Sequence, residues 1–378
     1  MSVTVALAQC SSYHFTEINS AVERVLAEIG GLGKFVAPGQ TVLLKPNLLS
    51  DRSPDQAITT HPEVVRALIR LVKSHGAIPV VADSAASAIK IESVWEKTGF
   101  RALCDEESVQ LINLEQSGSR SFEADGMSFS IANPVLDADV IINVPKLKTH
   151  IFTVLTNAVK NMYGTMPGYQ KMIFHKRYPT PSQLGDFLAL LYARIRPALT
   201  ICDAVVGMEG NGPSGGSPVH LGFLAGSADG VALDTAMCHL LGINMNGVPY
   251  FRGLKRAGVG ETDWNAIDLA GDAPETLDLH PLHLPVTWFW CLIPKMIVRC
   301  IEPYLWIRPF ITERCTFCGL CVKSCPVSAL SIEKGKPPEL NAVLCIGCCC
   351  CHEVCSASAI EMHQSCLANF IRRGRLPS

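Results

Sequence analysis

The chain of 378 residues carries seventeen cysteines, and eight of them fall into two runs of identical spacing. Cys315, Cys318, Cys321 and Cys325 form the first run; Cys345, Cys348, Cys351 and Cys355 form the second. Both follow C-x2-C-x2-C-x3-C. Three thiolates at that spacing wrap one loop around an iron–sulfide cubane and turn the loop amides toward its sulfides. The fourth cysteine lies past a sharp turn and reaches the other cubane. On that rule Cys315, Cys318, Cys321 and Cys355 hold one [4Fe–4S] cluster. Cys345, Cys348, Cys351 and Cys325 hold a second. Zinc would need four ligands per site, and the three-residue gap closed by Pro326 suits a cubane better. Disulfides are out of place where no export signal is read.

The two runs resemble a bacterial-type two-cluster ferredoxin module, which implies low-potential electron transfer. Two departures stand out. Ser356 replaces the proline that follows the last ligand, so that turn is less fixed. Cys349 and Cys350 fill the gap between Cys348 and Cys351. Their bland reading is small buried filler; the sharper one is an extra thiol for redox or ligand exchange.

A second constellation lies at the ends of apolar runs. Lys45 and Asn47 follow one run; Asn143, Lys146, Lys148 and His150 follow another. Asn157, Lys160, Asn161 and Gly164 come next at steps expected to share a helix face, then His175, Lys176 and Arg177. Any one of these reads as a surface charge. Grouped at strand ends, they make an anion pocket for a carboxylate or phosphate. Lys45, Asn47, Lys146, Asn161 and Asn211 are the expected binding residues. Lys148, His150, Lys160, His175 and Glu209 are the expected catalytic ones, as proton carriers or acid and base.

Gly210, Gly212 and Gly215 spell G-x-G-x-x-G. The dinucleotide reading fails, because Pro213 sits inside the loop and residues 217–221 do not open a helix. A backbone cradle for an anion and a flexible turn both stay open. Asp203 is a candidate acid, base or metal ligand. Asp83, expected to cap the next helix, and Asp234, one turn into its own, are weaker candidates.

The run from Lys45 to Asn47, the segment Asn143 to His150, the segment Asn157 to Gly164 and the stretch Asp203 to Pro213 together resemble the family called domain of unknown function 362. The likeness spans residues 40–245. That family implies an architecture and a common site, often with a C-terminal ferredoxin module, but no substrate.

The elements that must position these residues alternate. Strands are expected at Val3–Ala8, Thr41–Leu44, Ile78–Ala82, Val109–Leu114, Val140–Val144 and Leu199–Val206. Helices are expected at Glu17–Ile29, Pro62–His75, Glu92–Thr98, Thr153–Tyr163, Ser182–Arg194 and Val231–Leu241. That order argues for an α/β, mostly parallel, doubly wound sheet, with ligands beyond the carboxyl ends of its strands. The expected division is an α/β domain at 1–279, a linker with an amphipathic helix at 280–309, an α+β two-cluster module at 310–362 and a tail at 363–378. The helix reads as a packing element, with peripheral membrane contact through 294–305 as the second reading. Arg372, Arg373 and Arg375 read as a solvated end or a partner contact.

Hydrophobic content of 48%, charged content of 17% and a net charge of −2 give no nucleic-acid signature. The cysteines and the lack of a basic leader imply a reducing, anaerobic cytoplasm. The expected function is an iron–sulfur oxidoreductase that passes electrons through two [4Fe–4S] clusters to a small anionic substrate. A ferredoxin- or flavodoxin-type carrier would feed it. The alternatives are an electron-transfer subunit that docks a partner redox enzyme, and a non-redox enzyme with structural or sensory clusters.

Overall fold

The computed structural model describes residues 2–86, 88–289 and 304–373, with backbone alone for Tyr169 and residues 370–373. In chain order the strands of the first region are β1 (Val3–Gln9), β2 (Thr41–Pro46), β3 (Ile78–Asp83), β4 (Gln110–Asn113), β5 (Ser119–Ala124), β6 (Met127–Ala132), β7 (Val140–Val144), β8 (Lys146–His150), β9 (Val154–Thr156), β10 (Leu199–Glu209), β11 (Ser217–Ser227) and β12 (Ile267–Gly271). All but the β5–β6 hairpin join one ten-stranded sheet, ordered β12-β1-β11-β10-β7-β2-β3-β4. Strand β8 lies beside β10, and β9 beside β8. The block from β10 through β7, β2 and β3 to β4 is parallel; β11 runs antiparallel between β1 and β10.

Period-two patterning decides which side chain meets which layer. In β2, Val42 and Leu44 join one core and Leu43 the other. The helices Phe15–Glu28 and Pro62–Ser74 cover the first face, and the helices Pro181–Ile195 and Gly230–Leu240 cover the second. Each fully buried Leu or Val is worth about 1.5–3 kcal/mol of transfer free energy, so helices on both faces are what a largely parallel sheet requires. The expected doubly wound α/β architecture is observed.

Two local expectations change, and the expectation that residues 217–221 open no helix holds. Residues 153–163 are not one helix: β9 comes first, then a single turn at Ala158–Asn161 and a 3-10 turn at Met162–Thr165. The reason is tertiary. β9 closes an antiparallel pair with β8, matching His150 to Val154. The stretch after the glycine loop is β11, an eleven-residue strand. Asp83 caps no helix; its carboxylate pairs with Lys45 Nζ at 2.7 Å and accepts from Leu48 N.

The cysteine region adds β13 (Ile307–Ile311), β14 (Leu330–Ser331), β15 (Glu339–Leu340) and β16 (Ile360–Gln364), in two antiparallel pairs, β13 with β16 and β14 with β15. Single-turn helices at Leu320–Lys323 and Cys350–Glu353 sit thirty residues apart, as the two cysteine runs do. Residues 290–303, which hold most of the expected linker helix, and Arg375 lie outside the described residues, as do the side chains of Arg372 and Arg373. No helix of the described residues is long and apolar enough to cross a membrane.

Candidate functional site

The eight cysteines surround two separate chambers. Cys315, Cys318, Cys321 and Cys355 line one, with Ile311, Leu320 and Ile360. Cys325, Cys345, Cys348 and Cys351 line the other, with Cys349, Leu330 and Met362. The donor chemistry fits an iron–sulfur cubane in each. Four sulfurs face a common space, and backbone amides donate to the outlying cysteine of each run: Ala329 N to Cys325 Sγ at 3.1 Å and Ala359 N to Cys355 Sγ at 3.2 Å. Gly319 (φ 72°) and Cys349 (φ 64°) occupy equivalent left-handed positions. A cysteine therefore stands where the first run uses the residue with no Cβ penalty. Cys349 and Cys350 are both buried, and burial holds the Cys349 thiol well above its ordinary range.

The first chamber lies near the surface, with Cys318 exposed, whereas Cys348 and Cys351 of the second are buried. Against the second packs the strand-end cluster. Lys45 and Lys146 are internally neutralised. Lys45 pairs with Asp83, and Lys146 pairs with Asp203 at 2.7 Å. Tyr13 OH links that second pair, donating to Asp203 at 2.9 Å and accepting from Lys146 at 2.7 Å. Asn161 ties the first pair to its neighbours: it accepts from Lys45 and Asn47 and donates to Asn143. Asp234 caps the turn at Ala158–Asn161 through two backbone amides and accepts from Tyr250 OH at 2.8 Å.

Lys148, Lys160 and Lys171 differ from these. Among the described residues none has a carboxylate in ion-pair range. Lys148 Nζ donates to Asn47 Oδ1 at 2.9 Å and to Ile58 O at 2.5 Å. Burial, reinforced by the Lys160 charge, brings its ammonium down to about 7. Burial likewise lowers Lys171 to about 8. Lys160 Nζ lies 4.9 Å from the Tyr163 ring centre, and burial lowers its affinity for a proton as well. His150 and His175 are pushed down to about 4 by burial first. Burial thus disfavours the charged form of both rings.

One carboxylate enters this cluster, and it comes from the cysteine region. Glu353, between Cys351 and Cys355, places Oε1 3.2 Å from His150 Nε2. His150 Nδ1 accepts from Phe152 N at 3.0 Å and Thr153 N at 3.3 Å. The ring proton therefore sits on Nε2, on the nitrogen nearer Glu353. Although burial raises it, the His150 contact and the Lys160 charge outweigh that and hold Glu353 below the usual carboxylate range. In the first cysteine run the equivalent residue is Lys323, thirty positions earlier. Comparing the halves would have flagged Glu353; the sequence reading missed it, together with Arg52 and Lys171.

Glu209 and Asn211 stand apart from the lysines. Glu209 binds His283 through its ring and amide. Asn211 accepts from Val286 N at 3.0 Å and offers its carbonyl to His352 Nε2 at 3.1 Å. The glycine loop is shaped by packing rather than by flexibility. A Cβ on Gly212 would strike Thr149 O, and one on Gly215 would strike the His352 ring. Ser214 Oγ donates to Glu353 O at 3.0 Å. Arg52 clasps the same seam, donating to Ser214 O, Ser358 Oγ and Cys355 O.

Comparison with known proteins follows the same division. The family described as Domain of unknown function (DUF362) matches residues 42–239, and the 4Fe-4S binding domain matches residues 309–331. The "Thylakoid-associated protein sll1697" of Synechocystis sp. (strain ATCC 27184 / PCC 6803 / Kazusa) is 35% identical over 266 residues, 69% of this chain and 82% of that protein. Among solved structures, the lactate racemase apoprotein from Thermoanaerobacterium thermosaccharolyticum aligns with a TM-score of 0.42 at 14% identity. The alignment covers 63% of this chain and 57% of that one, a likeness too slight to argue from.

Proposed function

This chain belongs to the DUF362 family and carries a 4Fe-4S binding domain, and we propose that it is an oxidoreductase reducing a small anionic substrate. The eight cysteines would hold two [4Fe–4S] clusters in the partition described above, fed by a ferredoxin- or flavodoxin-type carrier. The observation that carries the reading is the lysine group without carboxylate partners, set directly behind the second cysteine chamber. Cys350, beside the ligand Cys348, perturbs both Lys160 and Tyr163. Excess positive charge in a low-dielectric setting favours an anionic guest.

When bound, the clusters supply electrons singly at low potential. The α/β domain supplies the rest. Two electrons and two protons added across a C=O or C=C bond balance the reduction, and the carrier is oxidised by two electrons. Lys148, with its ammonium near 7, is the proton donor that burial has tuned. His150 orients Glu353 rather than donating. The reducing thiols suit a cytoplasmic setting; vesicle flotation tests whether the chain shares the membrane-surface contact that the name of its thylakoid-associated relative suggests.

The test is anaerobic rapid mixing of the reduced protein with 2-oxo acids, enoates and acyl phosphates, following recovery of iron–sulfur absorption. An effective acid should speed re-oxidation at least tenfold. The rate should fall as pH rises through about 7, where Lys148 loses its ammonium, and Lys148→Met should slow it and remove that limb. Re-oxidation that ignores every acid would refute the reading.

One observation favours the docking alternative. Tyr304, Phe310, Phe317, Val343 and Leu344 are exposed apolar side chains in or beside the cysteine region, which suits a protein partner. Co-purification with a large redox enzyme, without turnover alone, would select it.

A further inference from the structure

A cavity of about 500 Å³ opens between the sheet domain and the cysteine region, within the size range of small-molecule sites. Its floor is made by two residues that face two ways. Ile360 lines this cavity and also the chamber of Cys315, Cys318, Cys321 and Cys355. Met362 lines it and also the chamber of Cys325, Cys345, Cys348 and Cys351. Strand β16 is thus a wall one side chain thick between the cavity and both sulfur-lined spaces.

The opposite side is the α/β domain. Ile58 and Met208 give it an apolar surface, and Lys148 backs it by donating to the Ile58 carbonyl. Arg314, at the rim, is cancelled by Glu361 at 2.9 Å. Arg52 is not cancelled. It is 6% exposed, its Nε has no partner, and among the described residues no carboxylate lies in ion-pair range. Burying such a cation is costly unless an anion meets it. Glu353 reaches His150 beside the lysine cluster, whereas this cavity has room and a buried guanidinium with no carboxylate in ion-pair range among the described residues.

We propose that the cavity binds a small organic anion, its carboxylate or phosphate on Arg52 and its apolar part against Ile360 and Met362. This deepens the preceding reading, and rests on it only for the claim that the ligand is the electron acceptor. Arg52 is then the residue that holds the anion, and the strand-end lysines behind Ile58 add positive charge on that side.

The experiment is calorimetric titration of anaerobically prepared full-length protein, of verified iron content, with phenyl phosphate, benzoate and benzyl alcohol. At least one of the two anions should bind at one site per chain, and which one does separates phosphate from carboxylate recognition. Arg52→Gln should weaken that anion about tenfold or more, the worth of a charged hydrogen bond, and leave benzyl alcohol unchanged. Arg52 also clasps the two regions, so Pro218→Trp and His363→Trp, which line the cavity and are not hydrogen-bond partners of Arg52, provide the independent check by filling the space. Failure of both anions to bind wild-type protein of full iron content would overturn the proposal. So would binding that survives both filled-cavity variants. Those outcomes leave the re-oxidation assay free to support the reductase at another location; loss of re-oxidation with binding intact would do the reverse.

Discussion

Asp203 shows how little a single residue type reveals. Its sequence position offered an acid, a base or a metal ligand. In the fold it neutralises Lys146, accepts from Tyr13 OH and accepts from His61 N at 2.9 Å. Such a pair is weak evidence of net stabilisation, but removing one partner strands a buried charge. Asp203→Asn should cost about 3–5 kcal/mol in unfolding free energy, and Lys146→Met with Asp203→Leu should recover much of it. Urea titrations of the three proteins measure this; equal stability of the single and double variants would contradict it. The lysines were legible because their spacing after apolar runs is local. Their partners were not, because Asp83 and Asp203 arrive from neighbouring strands, and register is a long-range property. The same holds for which lysines stay unpaired.

At the scale of elements, β1 and the parallel block of β10, β7, β2, β3 and β4 were visible as apolar runs, while β5, β6, β8, β9, β11 and β12 were not. Strand β8 begins immediately after Pro145 and is polar in composition. It is buried because β10 runs alongside, matching Asp203 to Lys146 and Met208 to Lys148. No propensity announces such a strand, since context decides β-structure more than composition. The glycine loop was legible as a loop, but not its reason. Gly212→Ala and Gly215→Ala should each destabilise by about 1–3 kcal/mol, because both sites are overpacked by a methyl group. Gly33→Ala, with its nearest neighbour 4.0 Å away, should be neutral or slightly stabilising. Hydrogen exchange at residues 350–355 distinguishes the loop sites further. Gly215→Ala should raise exchange there by pushing on His352, and Gly33→Ala should not. Unchanged exchange in Gly215→Ala would remove the packing role given to that glycine.

Across the whole molecule, the cysteine region is joined to the sheet domain by polar and apolar contacts at one seam. Ile151 enters its core, Val354 enters the sheet domain's core, and Glu353 reaches His150. The cysteines line the two chambers in the crossed grouping that the spacing rule expects. The seam was not legible in the spacing, because it depends on which face of a pseudo-repeated module turns inward, and the first half could have served equally by spacing. His352, Glu353 and Val354, where the first half has Val322, Lys323 and Ser324, are among the differences that break that equivalence. The order they impose places the exposed chamber outward and the buried one against the lysines.

The direct test is a spectroelectrochemical redox titration of wild-type protein and Glu353→Gln. Glu353 charges the surroundings of Cys348, Cys349 and Cys350, so removing its charge should make the nearby cluster easier to reduce. The account predicts two one-electron waves in the wild type. In the variant one should rise by tens of millivolts, about 60 mV for each 1.4 kcal/mol, while the other stays fixed. A single wave, or two that move together, would contradict it.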